Sequence, residues 1–385
     1  MTKKLRILFN SNAPWSTSGY GTQMYDLLPQ VVKEGYPTAQ IAFYGLEGGK
    51  LSLDNVTFYP RIADVWGNDS MPIWGDDFNA DVTITLQDIW VLDPNVLKNL
   101  RRWIAYVPID HDPVPPPIVE RLRLAYRIVT YSQFGYNELK RVGLHSTYIP
   151  HGVDTTVFKP QKKQEARKMF NLPQDVYLFG MVGANKDNPP RKSFQEAMEA
   201  FKMYHDRHPK SAIYFHTLLD QQNGFPIHEY AKFLGIQDVV FHIPPKNQLF
   251  DIDRAKLATI YNMFDCLLEP SRNEGFGVPI IEAQACGVPV IVNNITAMPE
   301  LVIEGVTGEI CEVATKAFTP LLSYVGVPSV RSLYDKMEHI TKHYTEKNSQ
   351  LAREFVVKNY DHKTVFQTKW KPFFELLEKE VYPKT

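Results

Sequence analysis

Ser271-Arg-Asn-Glu-Gly-Phe-Gly-Val-Pro-Ile-Ile-Glu282 runs on through Ala-Gln-Ala-Cys286-Gly287-Val-Pro289-Val-Ile-Val292. An acidic loop broken by two glycines leads into a short helix, and the helix stops at Gly287 ahead of an apolar strand. Pro279 suits the first helical turn, where a missing N–H costs nothing, and Gly287 followed by Pro289 is a helix stop. Gly275 and Gly277 let a ligand come close to the backbone. The N–H groups and positive dipole end of the helix attract phosphate. Glu274 lies in the loop, and Glu282 lies about one turn inside the helix. A phosphate cradle between two carboxylates suits a diphosphate flanked by hydroxylated rings, which is the chemistry of a nucleotide sugar.

Working outward, residues 266–269 form the strand that feeds this loop, and the same strand–loop–helix unit recurs on both sides. In the second half, 177–182 is a strand, 183–192 a glycine- and lysine-bearing loop, and 194–205 a helix. Residues 212–217 and 239–243 are further strands, with a helix over 255–262. The polar stretch 159–168 reads as an interdomain linker. In the first half, strand 5–9 ends in a loop carrying Gly19-Tyr20-Gly21, and a helix follows through Met24, Leu27, Leu28 and Val31. Strands are expected at 40–44, 56–59, 81–86, 103–107 and 127–131, with helices over 95–102, 118–125 and 133–142. Strand 103–107 empties into Pro108-Ile-Asp110-His111-Asp112-Pro113, at the carboxyl end where α/β sites gather. Beyond Leu333 the chain reads as helical, closing with an amphipathic aromatic helix.

Composition bounds the class. A chain of 385 residues is too long for one ordinary core and implies two α/β domains. A hydrophobic content of 44% and a charged content of 22% are those of a globular protein. The formal net charge of -1 gives no electrostatic case for nucleic acid or membrane. Cys266, Cys286 and Cys311 have no metal spacing and read as small buried residues in a reducing compartment. Met1-Thr-Lys-Lys runs directly into a strand, and no apolar run reaches membrane-spanning length. A soluble cytoplasmic protein is therefore expected, with peripheral membrane association as the alternative.

Three segments make the chain resemble the retaining family-4 glycosyltransferases of the GT-B fold. Glu274 to Glu282 matches that family's E-x7-E element and continues through Gly287, Ala297-Met-Pro-Glu-Leu-Val302, Gly305 and Gly308. Ile149-Pro-His-Gly-Val-Asp-Thr-Thr-Val-Phe158 is similar to its signature at the end of the first domain. The loop Gly183-Ala-Asn-Lys186-Asp-Asn-Pro-Pro-Arg191-Lys192 supplies its basic pair. The resemblance implies two Rossmann-like doubly wound domains facing across a cleft. Residues 1–160 would form the acceptor domain and 172–360 the nucleotide-sugar donor domain, with a terminal helix over 365–385 packing back on the first. In one departure, Ala184 and Asn185 stand where relatives usually carry arginine. Lys186 is the expected substitute, although lysine offers a point charge rather than a bidentate fork.

By the same resemblance, Glu282 accepts hydrogen bonds from ribose hydroxyls, each worth roughly 1.5–3 kcal/mol. The plainer alternative is a carboxylate that stabilises the helix start. Glu274 meets the sugar ring, and Gly275, Phe276 and Gly277 offer N–H groups to its hydroxyls. Arg191 and Lys192 neutralise the departing diphosphate. Gly19, Tyr20 and Gly21 approach the donor from the first domain, and either Asp110 or His111 touches the sugar near the reacting carbon. Asp110-His-Asp112 and Asp251-Ile-Asp253 imitate a metal-binding D-x-D pattern but read as coincidences, so neither metal nor cofactor is expected. Retention would follow from same-face attack, with the leaving phosphate taking the acceptor proton. A glycoside hydrolase needs two carboxylates but no phosphate cradle. A non-catalytic nucleotide-sugar binder is the other rival. Trp15, Trp66, Trp74, Trp90 and the Arg101-Arg102 pair suit a saccharide, a glycolipid or a hydroxymethylated DNA base as acceptor, and no stable protein partner is expected.

Overall fold

The computed structural model describes residues 3–219, 221–244 and 252–383, and the chain divides into two compact units. The first comprises Met1–Asp154, Pro320–Ser323 and Tyr360–Thr385, and the second Thr155–Thr319 and Tyr324–Asn359.

Eight strands build the sheet of the first unit. They are β1 (Ile7–Asn12), β2 (Thr38–Tyr44), β3 (Leu51–Leu53), β4 (Val56–Tyr59), β5 (Val82–Leu86), β6 (Trp103–Val107), β7 (Arg127–Thr130) and β8 (Thr147–Tyr148). Their order is β3-β4-β2-β1-β5-β6-β7-β8, and every pairing is parallel except the β3–β4 hairpin. Ile7, Leu8 and Phe9 are wholly or almost wholly buried, as expected of a central parallel strand covered on both faces. Strand order reverses between β1 and β5, so the loops after these strands open at a topological switch point.

The second unit repeats the scheme with β9 (Tyr177–Val182), β10 (Ser211–His216), β11 (Val240–Phe241), β12 (Cys266–Glu269), β13 (Val290–Asn293) and β14 (Gly308–Cys311). The order β11-β10-β9-β12-β13-β14 is parallel throughout, and its switch point lies between β9 and β12. Loop 183–193 follows one of these strands and loop 270–277 the other.

Three sequence readings are corrected by the fold, and one element had no reading. The helix of the first unit begins at Gly19, because Ser18 caps it, so Tyr20 and Gly21 are helical rather than part of the loop. The expected linker instead contains a helix, Lys163–Met169. Its Arg167 is buried, bonding Asp265 at 2.6 Å and the Met263 carbonyl at 2.9 Å. An antiparallel hairpin of β15 (Val313–Phe318) and β16 (Tyr324–Pro328), unanticipated from the sequence, precedes the helix Val330–His343. The last helix is interrupted by a π-turn over Phe366–Trp370 before Lys371–Val381. Within the first unit, Trp370 packs edge-on to Tyr106 at 5.0 Å, and Phe374 lies 5.2 Å from Tyr36.

Candidate functional site

The loops at the switch point of the second unit bring four charged side chains together. Lys192 Nζ lies 2.6 Å from Glu269 Oε1 and 2.8 Å from Glu274 Oε1. Arg191 donates to the same Glu274 oxygen at 2.5 Å and to the Asn273 carbonyl at 2.8 Å. Ser271 Oγ donates to Glu269 Oε1 at 2.5 Å. The Lys192 side chain is 8% exposed and that of Glu269 2%, so the pair is sealed from water. Gly183 makes room for it, because a Cβ at that position would lie 2.7 Å from Lys192 Cε.

Burial alone would raise the Glu274 pKa, but the Arg191 guanidinium and Lys192 ammonium outweigh it and hold the carboxyl at about 2. At Glu269 burial wins over Lys192 and the pKa rises. Burial would lower the Lys192 pKa, and the carboxylates of Glu269 and Glu274 more than offset that, so the ammonium persists. Two cations thus face two carboxylates whose pKa values are pushed in opposite directions.

The helix Val278–Ala285 follows the loop that carries Glu274. Gly277, at φ 110°, turns the chain into it, and Pro279 sits in the first turn. Glu282 is buried and accepts from the Tyr261 hydroxyl at 2.7 Å. The loop is laced in place. Glu274 N–H donates to Thr296 Oγ1 at 3.1 Å, and Arg272 N–H donates to the Arg191 carbonyl at 2.8 Å. Asn293 Nδ2 donates to the Ser271 carbonyl at 3.0 Å and the Gly326 carbonyl at 2.9 Å, while Gly326 N–H donates to the Arg272 carbonyl at 2.8 Å. The unforeseen hairpin therefore buttresses this loop.

Lys186 does not join the cluster: it is exposed, with no ion pair to another described residue. Its neighbour Asn185 is a strut. Asn185 is 1% exposed, donates to the Phe225 carbonyl at 2.8 Å and accepts from Phe225 N–H at 2.8 Å. No group of three or more His, Cys, Asp or Glu among the described residues is arranged to hold a metal, and Asp251 lies outside them.

The remaining candidates belong to the first unit. Gly19 faces open space, whereas a Cβ on Gly21 would lie 2.7 Å from the Ala13 and Ser16 carbonyl oxygens, so Gly21 is required by packing. The Tyr20 hydroxyl donates to Asp88 Oδ1 at 3.3 Å. Asp110 Oδ1 lies 2.6 Å from His111 Nδ1, beyond the carboxyl end of β6. His151 is buried, stacked on Tyr131 at 4.0 Å and 2.8 Å from the Tyr106 hydroxyl, and burial pushes its pKa down to about 3. Gly152 exchanges two hydrogen bonds with Gln23, and a Cβ there would come within 2.6 Å of His362 Cα. This segment is thus an anchorage within the first unit.

Sequence reasoning passed over Glu269 and Tyr261. Glu269 had one visible signal: a carboxylate closing a strand that is otherwise wholly apolar, where an unpaired charge is rarely tolerated.

Residues 162–319 match the family model described as "Glycosyl transferases group 1". Among curated proteins, the chain is 31% identical over 172 residues to a D-inositol 3-phosphate glycosyltransferase of Actinosynnema mirum, covering 42% of this chain and 38% of that one. A D-inositol 3-phosphate glycosyltransferase 2 of Catenulispora acidiphila is 30% identical over 196 residues, covering 48% and 44% respectively. The match spans about two fifths of these relatives' length. Among solved structures, sucrose-phosphate synthase from Thermosynechococcus elongatus superposes with a TM-score of 0.75 at 16% identity, covering 97% of this chain and 99% of that one. Anabaena HepE, in complex with UDP-glucose, superposes with a TM-score of 0.70 at 15% identity, covering 96% and 100%. At these identities the likeness is one of fold.

Proposed function

We propose that this chain, which has the GT-B fold and carries a group 1 glycosyltransferase domain in residues 162–319, moves a sugar from a nucleoside-diphosphate sugar to an acceptor hydroxyl with retention of anomeric configuration. The observation that carries this reading is the cluster of buried Lys192, Glu274 and half-buried Arg191, with Glu274 on the loop that leads into the helix starting at Val278. An incoming diphosphate would take over Lys192 and Arg191 from Glu274, and Glu274 would then turn its oxygens to the hydroxyls of the sugar. Glu282, oriented by Tyr261, suits the ribose hydroxyls.

In the reaction, the acceptor oxygen bonds to the anomeric carbon as that carbon's bond to the diphosphate breaks. The acceptor proton passes to the departing phosphate oxygen on the same face. Negative charge grows on the diphosphate, and buried Lys192 and half-buried Arg191 would stabilise it there. Glu274 is held ionised by two cations, which suits it to positioning and charge stabilisation; its nucleophilicity is spent on those partners. Asp110 or His111 would contact the sugar, as would Gly19 and Tyr20. The reaction draws on no metal or cofactor in this scheme.

The acceptor is a saccharide, a glycolipid or a hydroxymethylated DNA base. UDP-sugars head the list of donors to try, because HepE binds UDP-glucose. No helix among the described residues is long and apolar enough to cross a membrane, which suits a cytoplasmic enzyme acting on soluble or surface-presented acceptors. The test is turnover of UDP-, GDP- and ADP-sugars with the anomeric configuration of the product read by NMR. A retained configuration, with Glu274→Gln slowing transfer by about 10²-fold or more, is expected. Full-rate transfer by Glu274→Gln would remove that residue's role, and hydrolysis of plain glycosides would favour the hydrolase.

A further inference from the structure

Loops at the carboxyl ends of β1, β4 and β5 hold Trp15, Trp66 and Trp90 at 44%, 40% and 47% exposure. Large exposed rings gathered on loops at one edge of a sheet are a candidate binding surface. Two of these rings have fixed partners, and the loop of the third is tied in place. Trp15 donates its indole N–H to the Gly45 carbonyl at 2.6 Å and stands edge-on to Phe58 at 5.0 Å. Trp66 stands edge-on to Phe43 at 6.1 Å, and its backbone N–H donates to Asp64 Oδ1 at 2.9 Å. Asn68 ties the Trp66 loop to the Trp90 loop, donating to the Val91 carbonyl at 3.2 Å and accepting from Asp93 N–H at 2.8 Å. Trp74 is different: it stacks on Tyr59 at 4.8 Å and spends its N–H on the Pro60 carbonyl at 2.9 Å, so it belongs to the packing.

Charge around these rings is one-sided. Segments 13–18, 44–50, 60–69, 87–93 and 108–115, which follow the carboxyl ends of strands β1, β2, β4, β5 and β6, carry seven carboxylates and two cations. Both cations are ion-paired, Arg61 with Glu47 at 2.8 Å and Lys50 with Asp77 at 3.4 Å. The Arg101-Arg102 pair precedes β6 and so lies at the opposite end of the sheet. A polyanion would meet a repulsive field at this rim, since phosphate-backbone binding depends on clustered Lys and Arg.

Resting on the transferase reading, we propose that the Trp66–Trp90 rim is the acceptor subsite and takes an uncharged saccharide. The apolar C–H face of a sugar ring stacks on the exposed indoles, and its hydroxyls donate to the surrounding carboxylates. The Tyr20–Asp88 hydrogen bond connects this rim to the start of the helix at Gly19.

Saturation-transfer NMR on the full chain tests this with maltose, cellobiose and chitobiose as neutral probes. A trigalacturonate and a hydroxymethylcytosine duplex are the anionic probes. We expect saturation to reach the C–H protons of at least one neutral sugar. Trp66→Ala or Trp90→Ala should weaken that binding roughly tenfold, with the thermal shift given by UDP, GDP or ADP unchanged. Trp66→Phe, which keeps a stacking face, should retain most of the affinity and guards against a folding defect. Binding of the anionic probes alone, of no neutral sugar, or of neutral sugars indifferently to both alanine variants overturns the proposal. If no nucleoside diphosphate shifts the wild-type melting temperature, the transferase reading falls and the acceptor role with it. A nucleotide shift without a neutral-sugar signal removes only the proposal made here.

Discussion

Glu269 is the residue on which the site's electrostatics turn. It lies behind Lys192, 2.6 Å from the ammonium, and burial raises its pKa. The two cations and two carboxylates balance before donor binds, so an arriving diphosphate leaves the cluster with excess negative charge. Glu269 is the group best placed to absorb a proton in response. The donor-bound state then holds more protons than the empty one, and by linkage binding strengthens as pH falls through the raised Glu269 pKa. Titration calorimetry of a nucleoside diphosphate in buffers of different ionisation enthalpy should show net proton uptake, and Glu269→Gln should abolish both the uptake and the pH slope. Glu274 behaves oppositely. Its depressed pKa contributes stability that is complete above its ordinary 4.5 and lost as pH falls toward about 2. Glu274 was legible from its glycine-broken loop ahead of a helix, and Arg191 and Lys192 through the family resemblance of their loop. Glu269 offered one signal, a carboxylate closing the apolar run Cys266–Glu269, and that signal passes easily for an ordinary strand end. Lys186 was expected to stand in for an arginine usual in the resembled family, and nothing in one sequence reveals that Asn185 beside it is buried and braces the loop while Lys186 is exposed.

At the scale of elements, the buried strands of both sheets were the most legible parts of the chain. Parallel strands covered on both faces read as continuous apolar runs, and β4, β6, β9 and β12 begin and end where the pattern does. Elements that pack by polar means were the ones missed. The helix Lys163–Met169 has no apolar stripe, and it docks through the buried guanidinium of Arg167, so its lysines made it resemble a linker. The β15–β16 hairpin is largely exposed along β15, which leaves little alternation to read, and the backbone of Gly326 anchors it to the site loop. Loop 183–193 owes its function to an equally local fit. Gly183→Ala would push a methyl against Lys192 Cε, 2.7 Å away, and tilt the ammonium from its two carboxylates. Because that contact is with a side chain, we expect transfer to fall by about tenfold or more, the cost of a small misplacement in a preorganised site, with the melting temperature within a few degrees of wild type. Unfolding at wild-type activity per folded molecule would instead make Gly183 a packing residue only.

For the molecule as a whole, the restart of the strand–helix pattern near Tyr177 made two α/β units visible from the sequence alone, and the GT-B fold agrees with it. The acceptor was less legible because it depends on which loops fold to the same edge of a sheet. Four tryptophans and an arginine pair read alike along the chain. In the fold, Trp74 joins the packing and the arginines go to the opposite end, leaving Trp15, Trp66 and Trp90 on an acidic rim. The donor side can be tested without knowing the acceptor. Isothermal titration of UDP, GDP and ADP against the wild-type chain and Lys192→Met is the most direct measurement. At least one nucleoside diphosphate should bind the wild type and be weakened tenfold or more, about 1.4 kcal/mol, by Lys192→Met. Failure of all three to bind, or equal binding by the variant, would contradict a donor site built around Lys192.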